Sequence, residues 1–257
     1  MATLAEPLPG YGRDDRFFLI MALVMMTLVF SAFSFHLAMG ISTFAKPIVV
    51  HAHAVVFMGW IVIYVLQNVL VTRGSMALHR ALGWIGTVWI GAMIVLGTMV
   101  TVAMVQRGGV PFFFLPVNFL IFDPVTVLTF AGLTWAAVAM RRKTDWHRRL
   151  HYCGTAMLMA PAISRLEPAP MLQPWAFEAA FVPLLIFPAI GMIADLRRHG
   201  RVHPAWWWGV AVMIGSIVLM EILTYSPIGT ALYQAVTAGT PGAVIPPLEF
   251  APPPPMP

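Results

Sequence analysis

The stretch from residue 17 to residue 39 reads FFLIMALVMMTLVFSAFSFHLAM, and His36 is its only ionisable side chain. About 20 apolar residues in a helix are enough to cross the hydrocarbon core of a bilayer. The rest of the chain is similar, because 60% of its 257 residues are hydrophobic and only 10% are charged. A soluble domain carries about 25% charged residues. The sequence therefore predicts an all-α, polytopic membrane helix bundle.

Seven segments of the chain are long and apolar enough for a membrane span. They cover residues 17–39, 50–72, 81–105, 112–140, 148–166, 175–196 and 205–235. Asp123-Pro124 interrupts the fourth segment. Ser226-Pro227 favours a break in the last segment, since proline has no backbone N–H to donate to a helical hydrogen bond.

Basic residues are distributed unequally between the predicted loops. If the N-terminus is cytoplasmic and the chain crosses seven times, only Lys46, Arg107 and Arg165 of the fifteen Lys and Arg residues fall outside. An excess of Lys and Arg is typical of cytoplasmic loops. The net charge of +5 therefore indicates topology rather than nucleic-acid binding.

This topology divides the chain into three parts. Residues 1–16 are expected to form a cytoplasmic segment, residues 17–239 a seven-helix transmembrane domain, and residues 240–257 a tail outside the membrane. The tail is rich in proline, which favours an extended chain. We expect a multi-pass protein of the bacterial inner membrane, with the lipid bilayer as its main surroundings.

Most of the eight histidines lie near the ends of the predicted spans. The topology divides six of them into an outer group of His36, His51 and His53 and a cytoplasmic group of His79, His147 and His151. Roughly 30 Å of hydrocarbon separates the two faces, so one metal ion cannot use both groups. We expect one site on each face.

The cytoplasmic group has the spacing of a ligand cluster. His147 and His151 are four residues apart and share one face of a helix, and His79 begins a neighbouring helix. Histidine is a common ligand of haem iron and of metals such as Zn, Fe and Cu. Arg148 and Arg149 could pair with haem propionates, and Arg80, next to His79, is a further cofactor-binding candidate. The alternative is a basic cluster that holds anionic lipid.

The second span carries an aromatic face next to His53. At helical spacing this face continues through Phe57, Trp60, Tyr64 and Gln67. A flat slot lined by aromatic side chains suits a porphyrin or a quinone ring. The same pattern is also typical of ordinary aromatic packing between helices.

Ionisable side chains inside the outer half of the bundle suggest a second polar site. Carboxylates within spans usually face a bundle interior, a partner or a water-filled cavity. Candidates for a metal or substrate site are His36, His51, His53, Asn118, Asp123, Arg165, Glu178 and Glu221. The alternative is a structural ion pair of Arg165 with Glu178 or Asp123.

Three motifs resemble a family of bacterial predicted membrane proteins known only as a domain of unknown function. They read VVHAHAVVFMGW from residue 49, LHRALGW from residue 78 and WHRRLHYCGTAMLMAPAISRL from residue 146. The resemblance covers about residues 50–166 and implies functional roles for His53, His79, Arg80, His147, Arg148 and Arg165. Leu150 and His151 stand where that family has tryptophan and methionine. A looser likeness is to transmembrane b-type cytochromes, which hold haem between histidines of neighbouring helices.

Three functions are compatible with these patterns. The first is a redox or electron-transfer protein that binds haem b or a metal and acts on a quinone or a membrane protein partner. The second is a zinc-dependent membrane enzyme that modifies a lipid substrate through the outer His, Asp and Glu residues. The third is a non-enzymatic subunit or transporter that uses the buried carboxylates Asp123 and Glu221.

Overall fold

The computed structural model describes residues 11–168 and 171–252, and every regular element in these ranges is a helix. Ten α-helices follow one another within these described residues. They are α1 (Tyr11–Ala38), α2 (Ile48–Thr72), α3 (Met76–Gln106), α4 (Pro116–Ala139), α5 (Thr144–Met157), α6 (Ala160–Leu166), α7 (Ala176–Phe181), α8 (Ile186–His199), α9 (Pro204–Thr224) and α10 (Pro227–Thr237). A 3-10 helix over Val182–Leu185 joins α7 to α8, and a second one covers Pro241–Val244.

Six helical stretches within the described residues are long and apolar enough to cross a membrane. They are α1, α2, α3, α4, the continuous run Ala176–His199 and α9. The chain is therefore an all-helical membrane protein with six candidate spans, one fewer than the sequence predicts.

The difference lies in the fifth predicted span, over residues 148–166. The structure divides it into α5 and α6, with a turn at Leu158 and Met159. Pro161 stands in the first turn of α6. Proline has no N–H to donate and its ring clashes with the carbonyl four residues earlier, so a continuous helix is broken just before it. Neither part alone has the length of a span.

The two prolines at which the sequence suggests an interrupted span, Pro124 and Pro227, have different outcomes. Pro124 lies within α4, which runs without a break because the surrounding bundle tolerates the lost hydrogen bond. At the other position α9 ends at Thr224 and α10 begins at Pro227, so the chain breaks there. Ser226 caps the new helix by accepting a hydrogen bond from the N–H of Gly229 at 3.1 Å.

The starts of α1 and α5 meet the end of α8, where Asp14 contacts Arg148 and Arg198, and the end of α1 meets the end of α6, where His36 contacts Arg165. We call the end at which α1 begins the basic end and the opposite one the far end. The middle of the bundle is formed by α4, which packs against α3, α5, α9 and α10, and by α5, which packs against α4, α8 and α9. Phe130, Tyr152 and Cys153 are completely buried there.

Several glycines allow unusually close helix contacts. A Cβ on Gly59 of α2 would lie 2.6 Å from the indole of Trp89 on α3, and one on Gly209 of α9 would lie 2.5 Å from Sγ of Cys153. Small residues of this kind let neighbouring membrane helices approach each other. The single cysteine is thus a packing residue.

The C-terminal segment returns to the far end of the bundle after α10. The N–H of Val117 donates to the carbonyl of Pro247 at 3.1 Å, and the hydroxyl of Tyr233 donates to the carbonyl of Gly242 at 3.2 Å. The first part of the predicted tail therefore contacts α4 and α10. Residues 1–10 of the predicted N-terminal segment and 253–257 of the tail lie outside the described residues.

Candidate functional site

A buried carboxylate, Asp195, organises the basic end of the bundle. It accepts hydrogen bonds from Nε and Nη2 of Arg149 at 2.9 and 2.7 Å, from the indole N–H of Trp206 at 2.9 Å and from the backbone N–H of His203 at 3.2 Å. Asp195 is fully buried and Arg149 is 2% exposed. Because the charges and the donors are satisfied, this arrangement locks α5, α8 and α9 together.

A second buried carboxylate, Asp14, brings α1 into the same network. It contacts Arg148, Nε of Arg198 at 3.2 Å and Nε2 of His199 at 3.0 Å. Arg148 also pairs with Asp145. Arg148, which the sequence suggests as a partner of haem propionates, is therefore engaged by three carboxylates of the protein, those of Asp14, Asp15 and Asp145.

Two groups at the edge of this network have altered acid–base properties. Burial alone would raise the pKa of Asp145, but Arg148 and Arg149 hold it below its ordinary value. Burial lowers the pKa of His203, and the charge of Arg149 lowers it further. The neutral imidazole can then accept the N–H of Ala205 at 3.1 Å, which caps the start of α9.

Next to this network the structure brings together His79, His147 and His151. The ring centres of His79 and His147 are 6.2 Å apart, and those of His147 and His151 are 4.8 Å apart. Nδ1 of His147 lies 2.8 Å from the carbonyl of Ala137, to which it can donate. A proton on Nδ1 leaves the lone pair of Nε2 available as a ligand.

Several buried polar atoms around this histidine cluster have no hydrogen-bond partner within the described part of the chain. They are Nδ1 of His79, Nδ1 of His151 and Oε1 of Gln67. Gln67 belongs to the same region because its amide lies 3.5 Å from the position of a Cβ on Gly83, one turn after His79. Buried polar groups without partners are uncommon and indicate a water, an ion or a ligand. Arg80 is exposed at the edge of this region.

The aromatic face of α2 is largely occupied by its own neighbours. Phe57 lies 3.2 Å from a Cβ position on Gly97, and Trp60 lies 3.6 Å from one on Gly86. Trp60 also meets Phe130 of α4 edge to face, with ring centres 4.8 Å apart. The middle of this face is therefore a packing surface against α3 and α4. Among the described residues, polar atoms without a partner lie at its two ends, on His53 and Gln67, and in its middle, at the indole nitrogen of Trp60.

The eight polar candidates of the outer half fall into separate groups at the far end. Nε2 of His36 lies 2.8 Å from the carbonyl of Arg165, and Nε2 of His51 lies 3.0 Å from the carbonyl of Phe44. Asp123 accepts a hydrogen bond from the hydroxyl of Thr101 at 2.9 Å. His53 stacks on Phe57 and lies within electrostatic range of Arg165.

The remaining three candidates form a different group, below the C-terminal segment. Asn118 donates to Thr224 at 3.0 Å and to Glu221 at 3.4 Å. A small cavity is lined by Asn118, Glu178, Glu221, Tyr225 and Phe250, among others. Burial, and then the charge of Glu221, raise the pKa of Tyr225. The eight candidates therefore do not share one site.

Within residues 11–168 and 171–252, no three or more His, Cys, Asp and Glu side chains are arranged to hold a metal ion by themselves. Comparisons with models of protein families, with curated proteins and with solved structures find no match. The family resemblance of residues 50–166 stays a prediction.

Proposed function

We propose that this chain is a redox or electron-transfer protein that holds haem b, or else a metal such as Fe, Cu or Zn, at the histidine cluster of His79, His147 and His151. The observation that carries the proposal is the convergence of these imidazoles from two helices, with buried ring nitrogens that have no partner. Imidazole is the most frequent ligand for such centres.

The residues of the cluster fit a haem better than a metal ion without porphyrin. Haem iron takes four nitrogens from the porphyrin, so two histidines complete its coordination. His79 of α3 and His147 of α5 would hold the haem iron from two different helices. Their ring centres are 6.2 Å apart. Moreover, α3 and α5 make little direct contact with each other.

A bound haem would supply one-electron chemistry, and the protein would position it. Ala137 orients His147 through its carbonyl, which favours the Nε2 lone pair as the ligand. The Asp14 and Asp195 network fixes the first turns of α5, on which His147 and His151 stand. The charged network is thus a structural support for the cluster.

We further propose that the protein lies in the bacterial inner membrane with seven passes, a cytoplasmic N-terminus and an outer C-terminus. The placement of twelve of the fifteen Lys and Arg residues at the basic end supports this orientation. In this arrangement the histidine cluster faces the cytoplasm. A membrane protein partner could then exchange electrons with it from that side.

The test is an optical spectrum with elemental analysis of protein purified in mild detergent from cells supplied with haem. We expect a Soret band and a pyridine haemochromogen of haem b in the wild type and in the control His51→Gln. Nε2 of His51 lies 3.0 Å from the carbonyl of Phe44, away from the cluster. His79→Ala and His147→Ala should each lose the haem. Absence of both haem and stoichiometric metal from the folded wild type contradicts the proposal.

A further inference from the structure

The far half of the bundle contains two opposite charges that approach each other without meeting. Arg165 of α6 and Asp123 of α4 attract each other electrostatically, yet no nitrogen–oxygen contact within 4.0 Å joins them. In a bilayer such side chains normally pair or face a polar ligand. The two side chains are therefore candidates for binding a polar ligand.

The side chain of Arg165 is fixed by its neighbours but keeps an unused hydrogen-bond donor. Nη1 donates to the carbonyl of Pro161 at 2.7 Å, and the guanidinium lies over the ring of Phe33, 4.1 Å from its centre. Its own carbonyl meets His36, which ties α6 to α1. Nε of Arg165 is buried and has no hydrogen-bond partner within residues 11–168 and 171–252. An N–H donor is thus oriented and left available.

The other two groups are fixed in a comparable way. His53 stacks on Phe57, with ring centres 4.2 Å apart, and hydrogen-bonds the backbone of Leu96, while its Nδ1 is buried without a partner among the described residues. Asp123 uses one carboxylate oxygen, Oδ2, for the hydroxyl of Thr101. Arg165 thus provides a donor, and His53 and Asp123 provide acceptors.

These features select the class of ligand. The charges of Arg165 and Asp123 cancel, so the site favours a neutral molecule over an anion or a cation. The ligand must accept hydrogen bonds at one edge and donate or accept hydrogen bonds at the other. Flat aromatic side chains lie next to these polar groups. The surrounding helices lie within the predicted hydrocarbon layer, so an apolar molecule can reach them from the bilayer.

We propose that Arg165, His53 and Asp123 bind the head group of a quinone or quinol. One ring oxygen of the quinol accepts a hydrogen bond from Nε of Arg165 and its hydroxyl donates to Nδ1 of His53, while the opposite hydroxyl donates to Asp123. This inference rests on the proposed redox function, for which the bound quinone is the lipid-soluble electron carrier. It assigns the far half to the carrier and the basic end to the histidine cluster.

The test is a titration of the purified full chain with decylubiquinone and its quinol, followed by quenching of tryptophan fluorescence. Asp123→Asn and Arg165→Lys are expected to raise the Kd about tenfold or more, because each removes a charge-assisted hydrogen bond. Arg107→Gln is the matched control. Arg107 is an exposed arginine at the far end whose Nε donates to Ala103 at 3.0 Å, and its loss should leave the Kd unchanged.

The outcomes separate this proposal from the previous one. The haem or metal spectrum of the Asp123 and Arg165 variants should equal that of the wild type, which also shows that they fold. An unchanged Kd in both variants overturns the quinone site, as does equal quenching by decylbenzene. If quinone binds and the variants weaken it while no haem or metal is found, the quinone site stands and the histidine centre falls.

Discussion

At the scale of single residues, the buried charges of the basic end show how a membrane bundle is fixed. Arg149 and Asp195 are 46 positions apart in the sequence, and each is almost fully withdrawn from solvent. Removing one partner of a buried ion pair leaves an uncompensated charge, which costs more than the pair itself contributes. Asp195 is therefore a structural residue of the first importance, although it is not a candidate ligand.

Asp195→Asn should lower the free energy of unfolding by about 3–5 kcal/mol, because Arg149 keeps its charge and loses its counter-charge. The single Cys153 is fully buried, so a thiol-reactive fluorophore reports unfolding on heating in detergent. The control is Arg197→Gln on the exposed face of the same helix. If Asp195→Asn and the control have equal melting temperatures, the pair of Arg149 and Asp195 has no structural role.

At the scale of helices, close contacts depend on glycine where an aromatic ring crosses a neighbour. A Cβ on Gly191 of α8 would lie 2.2 Å from the indole of Trp206 on α9. The ring is buried and its N–H is held by Asp195, so it cannot move aside. Nothing in the sequence identifies this glycine, because its partner lies in another helix.

Gly191→Ala should separate α8 from α9 and destabilise the protein by about 1–3 kcal/mol, the usual range for overpacking. Gly132→Ala on α4 is the matched control, since a Cβ there meets nothing within 4 Å. Alanine is the better helix former, so this control should be neutral or slightly stabilising. Both variants can be followed by Cys153 labelling during thermal unfolding, and similar melting temperatures would disprove the close-contact argument.

At the scale of the whole molecule, the number of membrane passes depends on α5 and α6. They follow each other with one turn between them, α5 starts at the basic end, and α6 ends beside His36 at the far end. Together they extend from one end of the bundle to the other. A broken helix can remain in a bilayer when it is enclosed by other helices.

Fusions of alkaline phosphatase can decide the number of passes. An enzyme fused after Lys143 should be inactive, because it stays in the cytoplasm, and one fused after Glu167 should be active, because it is exported. Fusions of a fluorescent protein at the same positions should give the reverse pattern. If both phosphatase fusions are inactive, α5 and α6 do not cross and the chain has six passes.

Parts of the candidate sites could be read from the sequence and parts could not. The four-residue spacing of His147 and His151 placed them on one face, and the topology placed His79 at the same end. The sequence did not connect Asp14 or Asp195 with the arginines of α5. Nor did it show that His36 meets Arg165, a contact across 129 positions.

The amino-acid sequence was sufficient to predict an all-helical membrane protein and the approximate positions of its spans. Length and hydrophobicity are local properties, and a bilayer selects for them segment by segment. The tertiary structure alone decided which charges pair, which glycines receive an indole ring and which imidazoles face each other. These depend on contacts between helices far apart in the chain, where a buried polar group must find its partner or a ligand.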